Sequence, residues 1–181
     1  MRERSTRYDY GAGAHVMTHS QSLLEFRDAH AREIAGWATA FDEVRRWAGG
    51  EAGWPFDASA FRRWHADPDV RSYVLRVGDA LVAYGEVWID ESEREVELGR
   101  IIVDPASRGL GVGRYLVRLL LEKASHWGYP YAFVRVVPDN RAAIACYRGA
   151  GFSRVPEAER EEYNRGQPVD YFWMRHPLNV L

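Results

Sequence analysis

The 181-residue sequence holds a single cysteine, Cys146. No disulfide can form within the chain, and such usage suits a reducing cytoplasm, which is the expected location. No apolar run approaches the ~20 residues of a membrane span, and the N-terminus lacks the apolar core of a signal peptide. A charge excess is also missing: 24 basic and 26 acidic residues are intermixed, for a net charge of −2. With no basic block, nucleic acid is not expected as a partner, and neither is a membrane. The six histidines are scattered and form no metal-ligand spacing, so no metal is expected. The length matches one domain with a sizeable core.

What is present centres on Val96 to Trp127. An apolar β-branched run, Ile101-Ile102-Val103, reads as a strand, and Asp104-Pro105 stops it. Arg108-Gly109-Leu110-Gly111-Val112-Gly113 follows, and then a helical pattern with Val112, Tyr115, Leu116, Leu119, Leu120 and Ala124 on one face. A strand feeding a glycine turn that opens a helix is suited to hold phosphate. Glycines admit the anion close to the main chain, and the first helical turn leaves its N–H groups unpaired. A Walker loop would end Gly-Lys-Ser/Thr, whereas this one reads Gly113-Arg114-Tyr115. The dinucleotide fingerprint G-x-G-x-x-G does not fit glycines at alternating positions 109, 111 and 113.

Around this stretch the chain reads in order. Residues 1–20 are polar and aperiodic and are expected to be a disordered leader ahead of a single domain over 21–181. Leu23 to Arg27 alternates as a short strand; helical pieces follow from Asp28 through Ala38, from Phe41 to Trp47 and from Ala60 to His65. Seven large aromatics crowd Trp37 to Trp64, and most are expected to cover one face of a sheet. Val70–Val77, Leu81–Ile89 and the strand ending at Val103 form an antiparallel meander through Gly78-Asp79 and Asp90–Glu93. Tyr131 to Val137 is a strand parallel to the one before the glycine loop. Arg141 to Arg148 is a short helix, Phe152 begins a strand, Glu157 to Glu162 is a loop or hairpin connection, and Val169 to Met174 is the last strand.

The form Arg-x-x-Gly-x-Gly, at Arg108, Gly111 and Gly113, resembles the pyrophosphate loop of the GNAT superfamily of acyl-CoA-dependent N-acyltransferases. A second signature lies downstream: Asn140, then Ala143 through Tyr147, then Gly151-Phe152. The resemblance runs from Leu23 to about His176. It implies the GNAT fold, an α/β (α+β) architecture with a mixed sheet of about six to seven strands, two splayed parallel strands and flanking helices. It also implies acetyl-CoA as cosubstrate and an amine acceptor, with no metal; a homodimer is compatible with it. The backbone amides of Arg108, Gly109, Leu110, Gly111, Val112 and Gly113 would hold the pyrophosphate. The main chain of Ile101, Ile102 and Val103 would pair with the pantetheine, with the Val103 N–H polarising the thioester carbonyl. Arg108 reads either as a phosphate neighbour or as a solvated surface cation.

For proton transfer, Glu97 sits at an even spacing from Val103, which predicts one shared face. A carboxylate there resembles the general base of some members; it reads equally as a strand-end charge paired with Arg100 or Arg135. Glu95 and Glu86 are the alternatives. Tyr147 falls where the family places the general acid for the departing thiolate and also lines the cofactor. Asn140 caps its helix, contacts the pantetheine, or does both. Cys146 lies among small apolar residues and reads as a buried hydrophobe, not a nucleophile. Trp54, Phe56 and Tyr163 are the acceptor-binding candidates, and the acidic run before Tyr163 is a candidate rim that steers a cationic amine. The expected activity is therefore direct acetyl transfer from acetyl-CoA to a primary amine, whether a small molecule, a protein N-terminus or a lysine. A non-catalytic acyl-CoA sensor and a nucleotide-binding regulator are the competing classes.

Overall fold

The computed structural model describes residues 20–50 and 52–178, so the polar leader lies outside the described residues except for Ser20. In chain order the elements are β1 (Gln21–Glu25), α1 (Ala31–Ala35), α2 (Phe41–Ala48), α3 (Ala60–Trp64), β2 (Val70–Val77), β3 (Ala80–Asp90) and β4 (Glu95–Val103). They continue with α4 (Val112–Ala124), β5 (Tyr131–Val136), α5 (Arg141–Gly149), β6 (Ser153–Arg154), α6 (Glu157–Asn164) and β7 (Phe172–Pro177). The seven strands form one sheet in the order β1-β2-β3-β4-β5-β7-β6. β4 and β5 are its parallel pair, and every other neighbouring pair is antiparallel.

Alternation along the strands sorts side chains to two faces. On one face α4 lays Leu116, Leu120 and Ala124 against Leu75, Val87, Val96, Leu98 and Val134. Leu116 and Leu120 are wholly buried, each contributing on the order of 1.5–3 kcal/mol by removal from water. Opposite α4, the N-terminal helices bring Ile34, Trp37, Val44, Trp47 and Phe61 onto Val74, Tyr84 and Ile102. A third cluster gathers Phe133, Val155 and Trp173 with Tyr163 of α6. Most of the crowded aromatics from Trp37 to Trp64 thus cover the sheet, as expected, while Phe41 and Trp54 stay exposed.

Two expectations are corrected. The run Glu157–Glu162 is helix rather than loop or hairpin, and the last strand starts at Phe172 rather than Val169. Glu, Ala and Arg are strong helix formers, acidic residues occupy the first turn of α6, and Arg160 pairs back to Glu157 across one turn. The helix is polar on most of its surface, which hides its period. Among the described residues, no helix is long and apolar enough to cross a membrane, and no group of His, Cys, Asp and Glu could hold a metal ion.

Candidate active site

The site is built on an irregularity in β4. Between Gly99 and Ile102 that strand carries one residue more than β3 does between Glu86 and Tyr84, a β-bulge. Arg100 takes a positive φ of 44° at this point. The conformation is held from both ends of the residue. The indole N–H of Trp47 donates to the Arg100 carbonyl at 2.7 Å, and the guanidinium pairs at 2.7 Å with Glu86, which is fully buried. Glu86 also accepts from Trp88 Nε1 at 2.5 Å and from the Tyr84 hydroxyl. Its oxygens are committed to this network, which makes Glu86 a support of the bulge rather than a base. Gly99 lies beneath it because any Cβ there would meet the Trp88 indole at 2.4 Å.

The bulge corrects the spacing-based expectation for Glu97. One extra residue exchanges the faces of everything beyond it. Val96 and Leu98 face α4, and so do Ile101 and Val103, as partners of the same core. Glu97 therefore does not share a face with Val103. It stands at the last paired position of β4 and β5, whose ladder runs only over Val96↔Ala132 and Glu97↔Phe133. Beyond it the two strands splay.

The splay opens a cleft of about 600 Å³. One wall is Ile101–Val103 and the glycine loop: Arg108, Gly109, Gly111, Val112, Gly113 and Arg114. The other is Asn140, Cys146 and Tyr147 with their small neighbours, and Glu43, Arg46 and Trp47 of α2 reach across the mouth. Gly111 is the N-cap of α4 at φ 87°, in the left-handed region, and no side chain caps the helix. The first-turn amides of a 13-residue helix are thus left for an anion. Leu110 does not line the cleft; its side chain packs on the main core. Asn140 caps α5, its Oδ1 accepting from the Ala143 N–H at 3.2 Å, and it also borders the cleft.

Arg108 lines the cleft with its guanidinium already engaged. It donates to Glu43 at 2.7 Å, to the Trp37 carbonyl at 2.8 Å and to the Val103 carbonyl at 3.1 Å. It fastens the loop to β4 and to the N-terminal helices. Arg46 similarly ties α2 to Asp139 on the far lip, at 2.9 Å. Glu43, Arg46 and Trp47 were not foreseen from sequence. Their signal, an amphipathic helix with charge on one side and Trp on the other, does not say what it packs against.

Two titratable groups flank the splay: Tyr147 lines the cleft, whereas Glu97 stands at the end of the β4–β5 ladder and is not part of that lining. Burial pushes the Glu97 carboxyl up to about 7, against the opposing charge and backbone N–H of Arg135. The Arg135 Nε lies 3.0 Å from Glu97 Oε1. Burial also raises the Tyr147 phenol well above its usual range, with Cys146 and Glu97 adding to the shift. Tyr147 is therefore a neutral O–H donor at every physiological pH. The Cys146 thiol is raised by burial as well, which keeps it protonated and poorly nucleophilic.

The acceptor candidates are spread out. Trp54 is 46% exposed, whereas Phe56 packs on Trp47, Phe61 and Trp64. Tyr163 packs edge-on against Phe133 and at a tilt against Trp173, and it donates to Glu95 at 3.1 Å. Burial raises the Glu95 carboxyl, and burial beside Glu95 pushes the Tyr163 phenol up to about 12. The acidic run is largely neutralised by arginines. Glu157 pairs with Arg154 and Arg160, Glu159 with Arg175 at 2.7 Å, and Glu162 with Arg165 at 3.0 Å. It is not the open negative rim that its composition implies.

Comparison with known proteins agrees with this architecture. The model of the acetyltransferase (GNAT) family matches residues 27–152. The N-alpha-acetyltransferase RimI of Mycobacterium tuberculosis is 40% identical over 125 residues, covering 67% of this chain and 75% of that protein. A mycothiol acetyltransferase of Corynebacterium efficiens is 30% identical over 153 residues, 81% of this chain; the chain spans only 48% of that longer relative. Among solved structures, the spermidine N-acetyltransferase of Vibrio cholerae, in complex with CoA and spermine, superposes with a TM-score of 0.68 at 17% identity. That match covers 88% of this chain and 96% of the other, a likeness of fold. The family model spans the glycine loop, the splayed strands and Tyr147 alike, and the chain therefore belongs to the GNAT family of acyl-CoA-dependent N-acetyltransferases.

Proposed function

We propose that the protein transfers the acetyl group of acetyl-CoA directly to a primary amine within a ternary complex. The observation that carries this reading is the cleft beyond the last β4–β5 pair, lined by the glycine loop on one side and by Tyr147 on the other, with Glu97 standing where the ladder ends. The cleft suits the donor. Its main-chain amides at Gly111–Arg114 match a pyrophosphate, and a Cβ on Gly113 would already lie 3.3 Å from Cys146 and 3.4 Å from Val103, so the glycine keeps a narrow passage open. Beyond Glu97 the β4 edge has no β5 partner, and along Ile101–Val103 that edge offers strand-like hydrogen bonds to the pantetheine and an N–H to the thioester oxygen.

Glu97 takes a proton from the acceptor ammonium, directly or through a water. The freed amine attacks the thioester carbonyl, the C–S bond breaks, and Tyr147 donates its proton to the departing thiolate. The acceptor we favour is an α-amine at a peptide N-terminus. An α-ammonium of pKa ~8 gives its proton to a base near 7 almost without cost. A lysine or alkyl ammonium of pKa ~10.4 would demand roughly 3 kcal/mol more at about 1.36 kcal/mol per unit. The relative named as an N-alpha-acetyltransferase supports the same choice.

Tyr147→Phe tests the acid. It is expected to lower kcat by roughly 10–100-fold, under the full acid–base range because a thiolate can leave partly unassisted. The acetyl-CoA Kd should hold within about twofold, since the ring and its packing against Phe152 persist. An unchanged kcat would remove Tyr147 from the chemistry.

A further inference from the structure

On the face opposite α4, aromatic rings and guanidinium groups alternate across the splay. Arg100 lies 4.0 Å from the Trp64 ring and 4.8 Å from Trp88. Arg135 lies 5.4 Å from that same Trp88 ring and 5.7 Å from both Tyr171 and Trp173. Each arginine carries one carboxylate, Glu86 on Arg100 and Glu97 on Arg135. The two pairs differ in access. Glu86 is sealed, while Glu97 and Arg135 are 18% and 28% exposed. The base therefore stands beside a cation oriented by three rings, and both reach solvent.

A guanidinium presents five N–H donors in a rigid planar fork. Glu97 engages Nε, and Gln167 lies 3.5 Å from Nη1. The fork has donors beyond these two contacts. An acceptor with a carbonyl one carbon away from its amine can place nitrogen on Glu97 and oxygen on Arg135 together. A polyamine gains nothing comparable: its second ammonium is itself a donor, and a guanidinium offers it no acceptor.

Resting on the acyl-transfer reading above, we propose that Arg135 is a specificity-determining residue that donates to the first carbonyl oxygen of the acceptor. The substrate class is then an α-aminoacyl group, the first residue of a peptide, rather than a polyamine or a simple alkyl amine.

The test is a ratio: kcat/KM for a trialanine amide with a free N-terminus over kcat/KM for an alkyl amine of similar length. It is measured for the wild type, Arg135→Gln and Arg135→Lys. Changes in the basicity of Glu97 act on both amines and cancel. Loss of a hydrogen bond from a charged donor should reduce the ratio by about 10–100-fold in Arg135→Gln. Arg135→Lys keeps the charge beside Glu97 but not the fork, so it should fall part of the way and serves if the glutamine variant fails to fold. A ratio unchanged in the folded variants overturns the assignment, as does a wild type that acetylates both amines equally well. A wild type that turns over neither amine overturns the acyl-transfer reading, and this inference with it.

Discussion

Replacing Glu97 by glutamine is expected to lower kcat by about 100-fold at pH 7.5, within the usual range for a positioned general base. The variant should also lose the rise in rate centred near pH 7. The sign follows from the chemistry: only the carboxylate can accept the ammonium proton, so activity rises as pH passes upward through the Glu97 pKa of about 7. Above it, wild-type activity should level off. The amine's own ionisation is common to both enzymes, so the difference between their profiles isolates the enzymic group. Glutamine preserves the volume and one oxygen for Arg135, and acetyl-CoA affinity should be unaffected. A profile with the same limb in both proteins would assign the proton to another group and leave Glu97 as the partner of Arg135.

The second large effect concerns the donor. Gly111→Val is expected to weaken CoA binding by about 100-fold or more, equal to roughly 2.7 kcal/mol, with the fold retained. Two causes add. The residue sits at φ 87° as the N-cap of α4, where a β-branched side chain is strained. It also lines the cleft, so the new methyl groups take space beside the first-turn amides. The core that α4 shares with the sheet lies on Leu116, Leu120 and Ala124, away from that end. Calorimetry on the folded variant decides the matter, and an unaltered CoA Kd would refute the anion site at this turn.

Much of the fold was legible because its signals are local. Apolar runs bounded by turn residues mark β2, β3 and β5; glycine spacing after Val103 marks the anion loop; and Asn140 announces the cap of α5 that it provides. What escaped was decided at a distance. The β4 bulge depends on Trp47 and Glu86, 53 and 14 residues from Arg100 in sequence, and no local pattern at Gly99-Arg100 predicts it. Its consequence is large, since one extra residue sends Glu97 and Val103 to opposite faces. Arg108 reads locally as a phosphate neighbour or a solvated cation, and the carboxylate that engages its guanidinium, Glu43, lies 65 residues earlier. Helix α6 was obscured for another reason. Its charges face arginines from several elements, and the one residue it commits to packing, Tyr163, gives too little periodicity to see.

The central claim is direct transfer from acetyl-CoA, bound between β4 and β5, to an amine positioned by Glu97. Its most direct measurement follows thiol release from acetyl-CoA with and without a free N-terminal peptide, alongside the intact mass of the enzyme. The account predicts thiol release that requires the amine and equals the acetylated peptide formed, with no acetyl group left on the protein. Tight acetyl-CoA binding without amine-dependent release, or an acetyl group trapped on Cys146, would contradict it.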